Sequence, residues 1–222
     1  MLIDYEIVRS NRSSIGITVE RDGSIVVNAP QDLEADEIEK HVYKKRLWLW
    51  EKLAIKKEYQ EKIIKKSFIS GESFYYLGRS YRLEIIDEDI GLKLKKGWFV
   101  LGKKYQTKAN EHFKNWYSEH LRAKIKERLS LLTKKLNIEI PAFRIMELGF
   151  RWGSCTKEGV LNFNWKIVMA PIGVIDYIIV HELVHLKIHT HSDLFYKEVQ
   201  RTIPSYLEKK KWLKDNGQDL FI

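Results

Sequence analysis

Between Val174 and His185 the chain is apolar at almost every position, and yet this stretch holds two histidines and a glutamate. On an α-helix its hydrophobic residues run nearly all the way round, which predicts a buried helix rather than a surface one. Burying imidazoles and a carboxylate costs free energy unless each polar group finds a partner. The fold must therefore place something beside this helix that binds those side chains.

The polar residues of this helix have the spacing of a metal site. His181 and His185 are four residues apart, which places both rings on one helical face. Two such nitrogens can bind one divalent ion at about 2.1 Å each. Glu182 is turned about 100° away by the helical period, so it reaches a water on the ion rather than the ion itself. His-Glu-x-x-His on a helix is typical of zinc hydrolases and predicts Glu182 as the general base, whereas ordinary core histidines are the alternative.

A hydrolytic zinc site has three protein ligands and an open fourth position, so one more ligand is needed. We favour His191, because residues 190–193 are typical of a helix end and restart, with Ser192 or Asp193 as the new cap. A chain that turns there can bring His191 back to the ion. The alternatives are a carboxylate from a following helix or an imidazole one turn further along the same helix: Glu198, Glu208 or His189.

The rest of the chain predicts an α+β fold. Alternating apolar residues and the turn at Asp22-Gly23 indicate strands in the first thirty residues, and a second group of strands is expected between Gly71 and Gly102. Helical patterns cover about residues 32–66 and 108–136. We expect a β-rich N-terminal region with one long helix over residues 1–105, and a catalytic half over 106–222. The two halves can also form one compact unit.

The charge and the cysteine content bound the environment and the partners. Lys and Arg number 39 against 30 for Asp and Glu, a net charge of +9, which suits an anionic partner such as nucleic acid or a nucleotide. The basic residues are scattered in short clusters, however, so solubility is the other interpretation. One cysteine excludes an internal disulfide and favours a reducing compartment. Without a signal-like start or an uninterrupted apolar span, we expect a cytoplasmic protein with no membrane partner.

Cys155 is the only thiol, and it lies in a predicted turn. A catalytic cysteine needs a paired base, and the nearby histidines are already assigned to a metal. A structural thiol is therefore the preferred interpretation. Arg151 and Trp152 precede it and either border the cleft or, for Trp152, pack beneath the metal-binding helix.

Several short motifs occur together in the C-terminal half, at residues 151–155, 161–165, 170–171, 175–177, 181–185 and 191–195. Together they resemble the YgjP-like family of metallopeptidases, which is similar to the SprT-like proteases within the zincins. Weaker similarities at residues 22–23, 29–30 and 71–81 extend the resemblance over most of the chain. In one respect the chain differs from the metzincins, which share the spacing to His191: Ile188 stands where those proteins have glycine.

The resemblance implies a zincin-like catalytic half with the active-site helix under a small sheet. It implies His181, His185 and His191 as metal ligands and Glu182 as the catalytic base. The strand before the active helix, over residues 160–169, is then expected to form the rim of the cleft and to offer its edge to an extended peptide.

These observations favour a metal-dependent hydrolase, and within that class a zinc peptidase acting on peptides or proteins. One divalent metal per chain is expected, zinc by default, although imidazole also binds nickel, copper and iron. The alternatives are a metal-dependent phosphoanhydride or nucleotide hydrolase and a non-catalytic, metal-stabilised nucleic-acid-binding module. A residue that stabilises the oxyanion is also expected, and four candidates remain open: Arg151, Tyr177, His189 and Tyr196.

Overall fold

The computed structural model describes residues 4–19, 24–61, 66–149, 151–220 and 222, without the side chains of residues 55–61. The chain divides into two compact units, Met1–Ile64 and Lys65–Ile222. Their helices and small sheets confirm the predicted α+β class. The boundary expected near residue 105 lies inside the second unit, where Phe99 and Phe113 pack with ring centroids 5.1 Å apart.

The first unit consists of a three-stranded sheet and two helices whose apolar residues pack against it. Its strands are β1 (Glu6–Ser10), β2 (Gly16–Val19) and β3 (Ile25–Pro30). β3 is central, parallel to β1 and antiparallel to β2. Its residues alternate between buried and half-buried, and this alternation produces a small core. That core consists of Ile25, Val27, Ala29, Ile38, Val42 and Leu49. The predicted turn at Asp22-Gly23 lies outside the described residues.

The long helix expected in this unit is divided in two, α1 (Ala35–Lys44) and α2 (Arg46–Glu61). The division falls at Lys45, whose backbone N–H donates to the carbonyl of Val42 at 3.0 Å. The Arg46 guanidinium donates to the carbonyl of Tyr43 at 3.0 Å, which satisfies an acceptor near the end of α1. The Tyr59 side chain and residues 62–65, also part of the predicted helix, lie outside the described residues.

The second unit begins with a four-stranded sheet whose order is β4-β5-β7-β6. Its strands are β4 (Ser73–Tyr76), β5 (Arg79–Ile86), β6 (Lys93–Lys95) and β7 (Trp98–Gly102). A 3-10 turn at Lys103–Lys108 leads into α3 (Ala109–Leu136). One face of α3 is fully buried through residues three or four positions apart: Phe113, Tyr117, Leu121, Ile125, Leu129, Leu132 and Leu136.

A second, three-stranded sheet follows, with strands β8 (Phe143–Met146), β9 (Gly153–Cys155) and β10 (Leu161–Asn164). β10 lies in the middle, parallel to β8 and antiparallel to β9. The strand expected over residues 160–169 is therefore shorter, and Trp165–Met169 form a 3-10 turn instead. The expectation that this strand offers a free edge is wrong, because both of its edges are paired. The outer strands are β8 and β9, and β9 lies in a segment where the sequence predicted only a turn.

Three helices complete the unit: α4 (Ile172–His185), α5 (Asp193–Thr202) and α6 (Tyr206–Asn216). Pro171 precedes the first turn of α4, where its missing N–H costs nothing. Ser192 caps α5 by accepting a hydrogen bond from the Phe195 backbone N–H, as expected from the sequence. Among the described residues, no helix is both long enough and apolar enough to cross a bilayer.

The β4–β5 turn fixes the start of α4. The backbone N–H groups of Leu77 and Gly78 donate to the carbonyls of Val168 and Met169 at 2.8 and 3.0 Å. Gly78 has a φ of +78°, and a Cβ there would lie 2.9 Å from Cα of Pro171. Only glycine combines this backbone conformation with so close an approach. The first sheet of the unit is thereby attached to the beginning of the helix that carries the histidines.

A partly buried ion pair joins α3 to α4. The Arg128 guanidinium donates to both carboxylate oxygens of Asp176, with Nε–Oδ1 at 2.6 Å and Nη2–Oδ2 at 2.7 Å. The two side chains are 23% and 15% exposed, so the pair is shielded from solvent and has the bidentate geometry of strong pairs. It holds the apolar helix α4 in register on the long helix α3.

We expect Asp176→Asn to lower the free energy of unfolding by about 1–3 kcal/mol, because it leaves the half-buried guanidinium without its charged partner. Urea unfolding followed by circular dichroism measures this. Glu127→Gln is the matched control, since it breaks the exposed Lys124–Glu127 pair of α3 and should cost about 0.5 kcal/mol or less. Equal effects of the two substitutions would contradict the role assigned to the Arg128–Asp176 pair.

Candidate metal centre

A cleft of about 700 Å³ lies between β9 and the C-terminal part of α4. One wall consists of β9 and the turn after it, residues 153–157, and the other carries histidines and a glutamate. The lining side chains on the second wall are His181, Glu182, His185, His189 and His191. The cleft therefore contains the three histidines and the glutamate that the sequence favoured as ligands and base, and of the alternative ligands it contains His189.

Three imidazole nitrogens meet at one point of this cleft. Nε2 of His191 lies 3.0 Å from Nε2 of His181 and 3.1 Å from Nε2 of His185. One ligand atom from each residue lies within 4.8 Å of the others. A single N–H cannot satisfy all three nitrogens at once, whereas a cation can be bound by all three lone pairs. The three side chains thus form a set of donors that fits a metal ion.

The local chain path explains how His191 reaches the other two histidines. α4 ends at His185, so the chain is free to turn before α5 begins. Nδ1 of His185 lies 3.1 Å from the carbonyl oxygen of Ile188 and donates to it. This bond fixes the tautomer in which Nε2 of His185 keeps its lone pair toward the cleft. The turn that contains Ile188 also brings the following segment, with His191, back toward α4.

The other candidates for the third ligand lie apart from this cluster. His189 is exposed and lines the cleft, but it does not belong to the group of three. Glu198 is bound to Arg201 with an O–N distance of 2.6 Å. Glu208 is exposed and lies 3.5 Å from Lys209. Among the described residues, only His191 converges with the two histidines of α4.

The pKa of each of the three histidines is lowered, which favours the neutral form that binds metal ions. Burial, as the largest cause, together with the neighbouring His185, His191 and Lys210, lowers the pKa of His181 to about 3. Burial likewise lowers the pKa of His185 and His191. Nδ1 of His181 is buried and has no hydrogen-bond partner among the described residues. The unsatisfied atom is on the side of the ring away from the other two histidines, whereas the three converging Nε2 atoms form a set of neutral nitrogen donors that fits a cation.

Glu182 lies against β9 and is only 5% exposed. Burial raises the pKa of its carboxyl to about 8. The side chain fits only because residue 153 is a glycine: a Cβ at Gly153 would lie 2.7 Å from Oε1 and 2.8 Å from Cγ of Glu182. Gly153 thus makes room for the carboxyl at the cleft wall. The sequence indicated the role of Glu182 but not the role of this glycine.

Phe195 packs against all three imidazoles from beneath. Its ring is fully buried and lies 4.9, 4.6 and 4.9 Å from the rings of His181, His185 and His191. It belongs to the first turn of α5, next to the capped end that positions His191. Such packing restricts the rotamers of the histidines and holds their nitrogens in place. Nothing in the sequence pattern distinguished this phenylalanine from an ordinary core residue.

The structure shows the surroundings of Cys155, Trp152 and the four candidates for the oxyanion-stabilising residue. Cys155 lines the cleft, and burial raises the pKa of its thiol, with a further contribution from the charge of Glu182. At neutral pH it therefore stays protonated, which agrees with a structural thiol. Trp152 packs beside Gly217: a Cβ at Gly217 would lie 2.9 Å from Cζ2 of Trp152.

Of the four candidates for the oxyanion-stabilising residue, His189 belongs to the cleft lining, while Arg151, Tyr177 and Tyr196 do not.

Three convergent imidazoles beside a buried carboxyl in an open cleft are typical of metal-dependent hydrolases. The family model described as "YgjP-like, metallopeptidase domain" matches residues 13–216. The chain therefore belongs to the YgjP-like family of metallopeptidases, as the sequence motifs predicted, and it is a metal-dependent peptidase by class.

Two solved structures are similar to parts of this chain. The metallopeptidase zymogen of Pyrococcus abyssi abylysin is 24% identical to this chain, with a TM-score of 0.38. The match covers 41% of this chain and 93% of the abylysin chain. The metallopeptidase zymogen of Methanocaldococcus jannaschii jannalysin is 25% identical, with a TM-score of 0.37, and the match covers 44% of this chain and 97% of the jannalysin chain. Among curated proteins, none matches the chain.

We expect Phe195→Leu to lower the affinity for zinc by about tenfold, because leucine lacks the ring that contacts all three imidazoles. Competition with a chromophoric chelator measures the affinity. Val199→Ala, one turn further along α5 and equally buried, is the control. It should destabilise the fold by about 1–2 kcal/mol and leave zinc affinity unchanged. Loss of zinc affinity in both variants would mean that Phe195 acts only through general stability.

Proposed function

We propose that this protein is a zinc peptidase that hydrolyses peptide bonds in the cleft between β9 and α4. The observation that carries the proposal is the convergence of three neutral imidazoles next to a buried glutamate on one wall of that cleft. Membership of a metallopeptidase family supports the same reaction class. Phosphoanhydride hydrolysis has no comparable support, since neither a glycine-rich phosphate loop nor an acidic metal cluster accompanies the histidines.

In this proposal His181, His185 and His191 hold the metal through their Nε2 atoms. Three nitrogen ligands with an open side toward the cleft suit catalytic zinc, and nickel or another divalent ion can occupy the same donors. When bound, the ion supplies Lewis acidity, which polarises a peptide carbonyl and makes water more acidic. The Ile188 carbonyl and the Phe195 ring keep the imidazoles in the orientation that this requires.

Glu182 is the proposed proton carrier. Its carboxylate takes a proton from the water that attacks the carbonyl carbon, and then gives this proton to the nitrogen of the departing amine. A carboxyl whose pKa is raised by burial is a stronger base than an exposed one, which suits both transfers near neutral pH. Next to a bound divalent ion, the Glu182 carboxyl would be ionised before the reaction and ready to accept the proton.

We further propose that an extended peptide binds along β9. β9 is an outer strand of its sheet, with β10 on one side, and its residues Gly153, Ser154 and Cys155 line the cleft. Backbone groups at such an edge can pair with an added strand. A peptide placed there lies within the same cleft as Glu182 and the three histidines.

Incubation with casein, short peptides and nucleoside triphosphates, each with and without added zinc, tests the reaction class. Zinc-dependent cleavage of casein or peptides supports the proposal. Zinc-dependent release of phosphate would favour a nucleotide hydrolase instead. Absence of any hydrolysis, together with salt-sensitive binding of nucleic acid, would favour a metal-stabilised binding module.

We expect Glu182→Gln to lower peptidase activity by about 10² to 10⁴, the share that general acid–base catalysis usually contributes. The amide keeps the size of the side chain but cannot accept the proton. Metal content measured by elemental analysis, and the thermal unfolding midpoint, should both remain close to those of the unmodified protein.

His191→Ala is the matched comparison, because it removes a proposed ligand instead of the base. It should lower metal content and activity together. Release of the metal by Glu182→Gln with retention by His191→Ala would reverse the assigned roles. Full activity in both variants would place the active site elsewhere in the chain.

We also expect Gly153→Ala to lower activity by about tenfold or more, because the added methyl group must displace the Glu182 carboxyl from the cleft wall. Metal content should be retained. Gly173→Ala, in the first turn of α4, is the control: its Cβ would lie 3.5 Å from Cε of Lys209, an ordinary contact. Equal activity of the two variants would show that Glu182 tolerates displacement.

A further inference from the structure

The run Lys209-Lys210-Lys211 in α6 contains one lysine that differs from its neighbours. Lys209 lies 3.5 Å from Oε2 of Glu208, and Lys211 lies 2.9 Å from Oδ2 of Asp215. Lys210 has no carboxylate within ion-pairing distance among the residues that the structure describes. Its Nζ lies instead over the ring of Tyr196, 4.9 Å from the centroid.

A series of stacked rings connects Lys210 to the histidine cluster. The Tyr196 ring is stacked on the His191 ring at 6.0 Å and on the Tyr206 ring at 5.9 Å. Tyr206 and Lys210 are four residues apart on α6, so both point toward this side of the site. Lys210 is exposed, and its ammonium group is separated from His191 by the Tyr196 ring.

The charge balance next to the cluster lacks an anion. Among the described residues that line the cleft, Glu182 has the one carboxylate, and it lies against β9. With a divalent ion on the three histidines, the ion and the Lys210 ammonium would be two positive centres on either side of the Tyr196 ring. An anionic group placed between them would be attracted by both.

We propose that Lys210, supported by the ring of Tyr196, forms a subsite that binds a carboxylate of the substrate next to the metal centre. The inference rests on the proposed peptidase function. The carboxylate comes either from the free C-terminus of a peptide or from an aspartate or glutamate side chain. Lys210 determines specificity in this scheme and takes no part in proton transfer.

The test measures peptide binding to zinc-loaded protein by fluorescence polarisation. It uses the Glu182→Gln background, so that bound peptide is not consumed. The probes are four versions of one labelled six-residue peptide, which combine a free or amidated C-terminus with an internal Glu or Gln. Lys210→Met removes the charge but keeps the aliphatic stem, and Lys210→Arg restores the charge. Lys211→Met, on the same helix but paired with Asp215, is the matched control.

We expect a preference of about tenfold in Kd for the carboxylate version in one of the two comparisons at low salt. The preference should disappear in Lys210→Met and persist in Lys211→Met and Lys210→Arg. If the acid and amide termini differ, the subsite binds the C-terminus; if Glu and Gln differ, it binds an acidic side chain. Absence of any preference, or a preference that survives in Lys210→Met, overturns the inference.

The failure of this inference can be distinguished from failure of the proposed function. Hydrolysis of casein or peptides without any preference that depends on Lys210 would remove the subsite and leave the peptidase intact. A preference that depends on Lys210, in a protein that hydrolyses no peptide, would keep the anion site and remove the proposed reaction.

Discussion

The elements of the second unit are arranged so that three imidazole nitrogens lie within a few ångströms of one another. Nε2 atoms at 3.0 and 3.1 Å require α4, the turn after it and the start of α5 to hold fixed positions relative to one another. Each of these is secured by a separate local contact: the bond from His185 to Ile188, the Ser192 cap and the buried Phe195 ring. The site is therefore a product of short-range geometry built on a rigid, apolar helix.

The remainder of the unit holds that helix at both ends. The β4–β5 turn is attached to its start through Gly78 and Pro171, and Arg128 of α3 binds Asp176 one turn later. At the other end β9 lies against Glu182, with no room for a side chain at residue 153. Gly78 and Gly153, which belong to the motifs at residues 71–81 and 151–155, are thus points at which other elements touch the start and the C-terminal part of the active helix.

The sequence predicted the centre of the site more completely than its surroundings. His181, Glu182 and His185 follow from helical periodicity alone, and the cap at Ser192 indicated the turn that returns His191. The strand β9 was not predicted, because three residues with glycine and serine show no alternation. Phe195 and Lys210 were also missed, since their importance depends on which rings they touch across the fold. The division at Lys45 escaped prediction because the apolar positions on either side of it continue in helical register.

The electrostatics of the site suggest that folding and metal binding are separable. Zinc fingers depend on their ion because they have little other core, whereas α4 here belongs to a large apolar core that it shares with α3. Since burial lowers the pKa of all three histidines, the rings stay neutral at neutral pH and cost far less to bury than imidazolium ions. The carboxyl of Glu182 is shifted in the opposite direction and also tends toward its neutral form without a cation nearby. The fold can thus form with the three histidines and Glu182 uncharged.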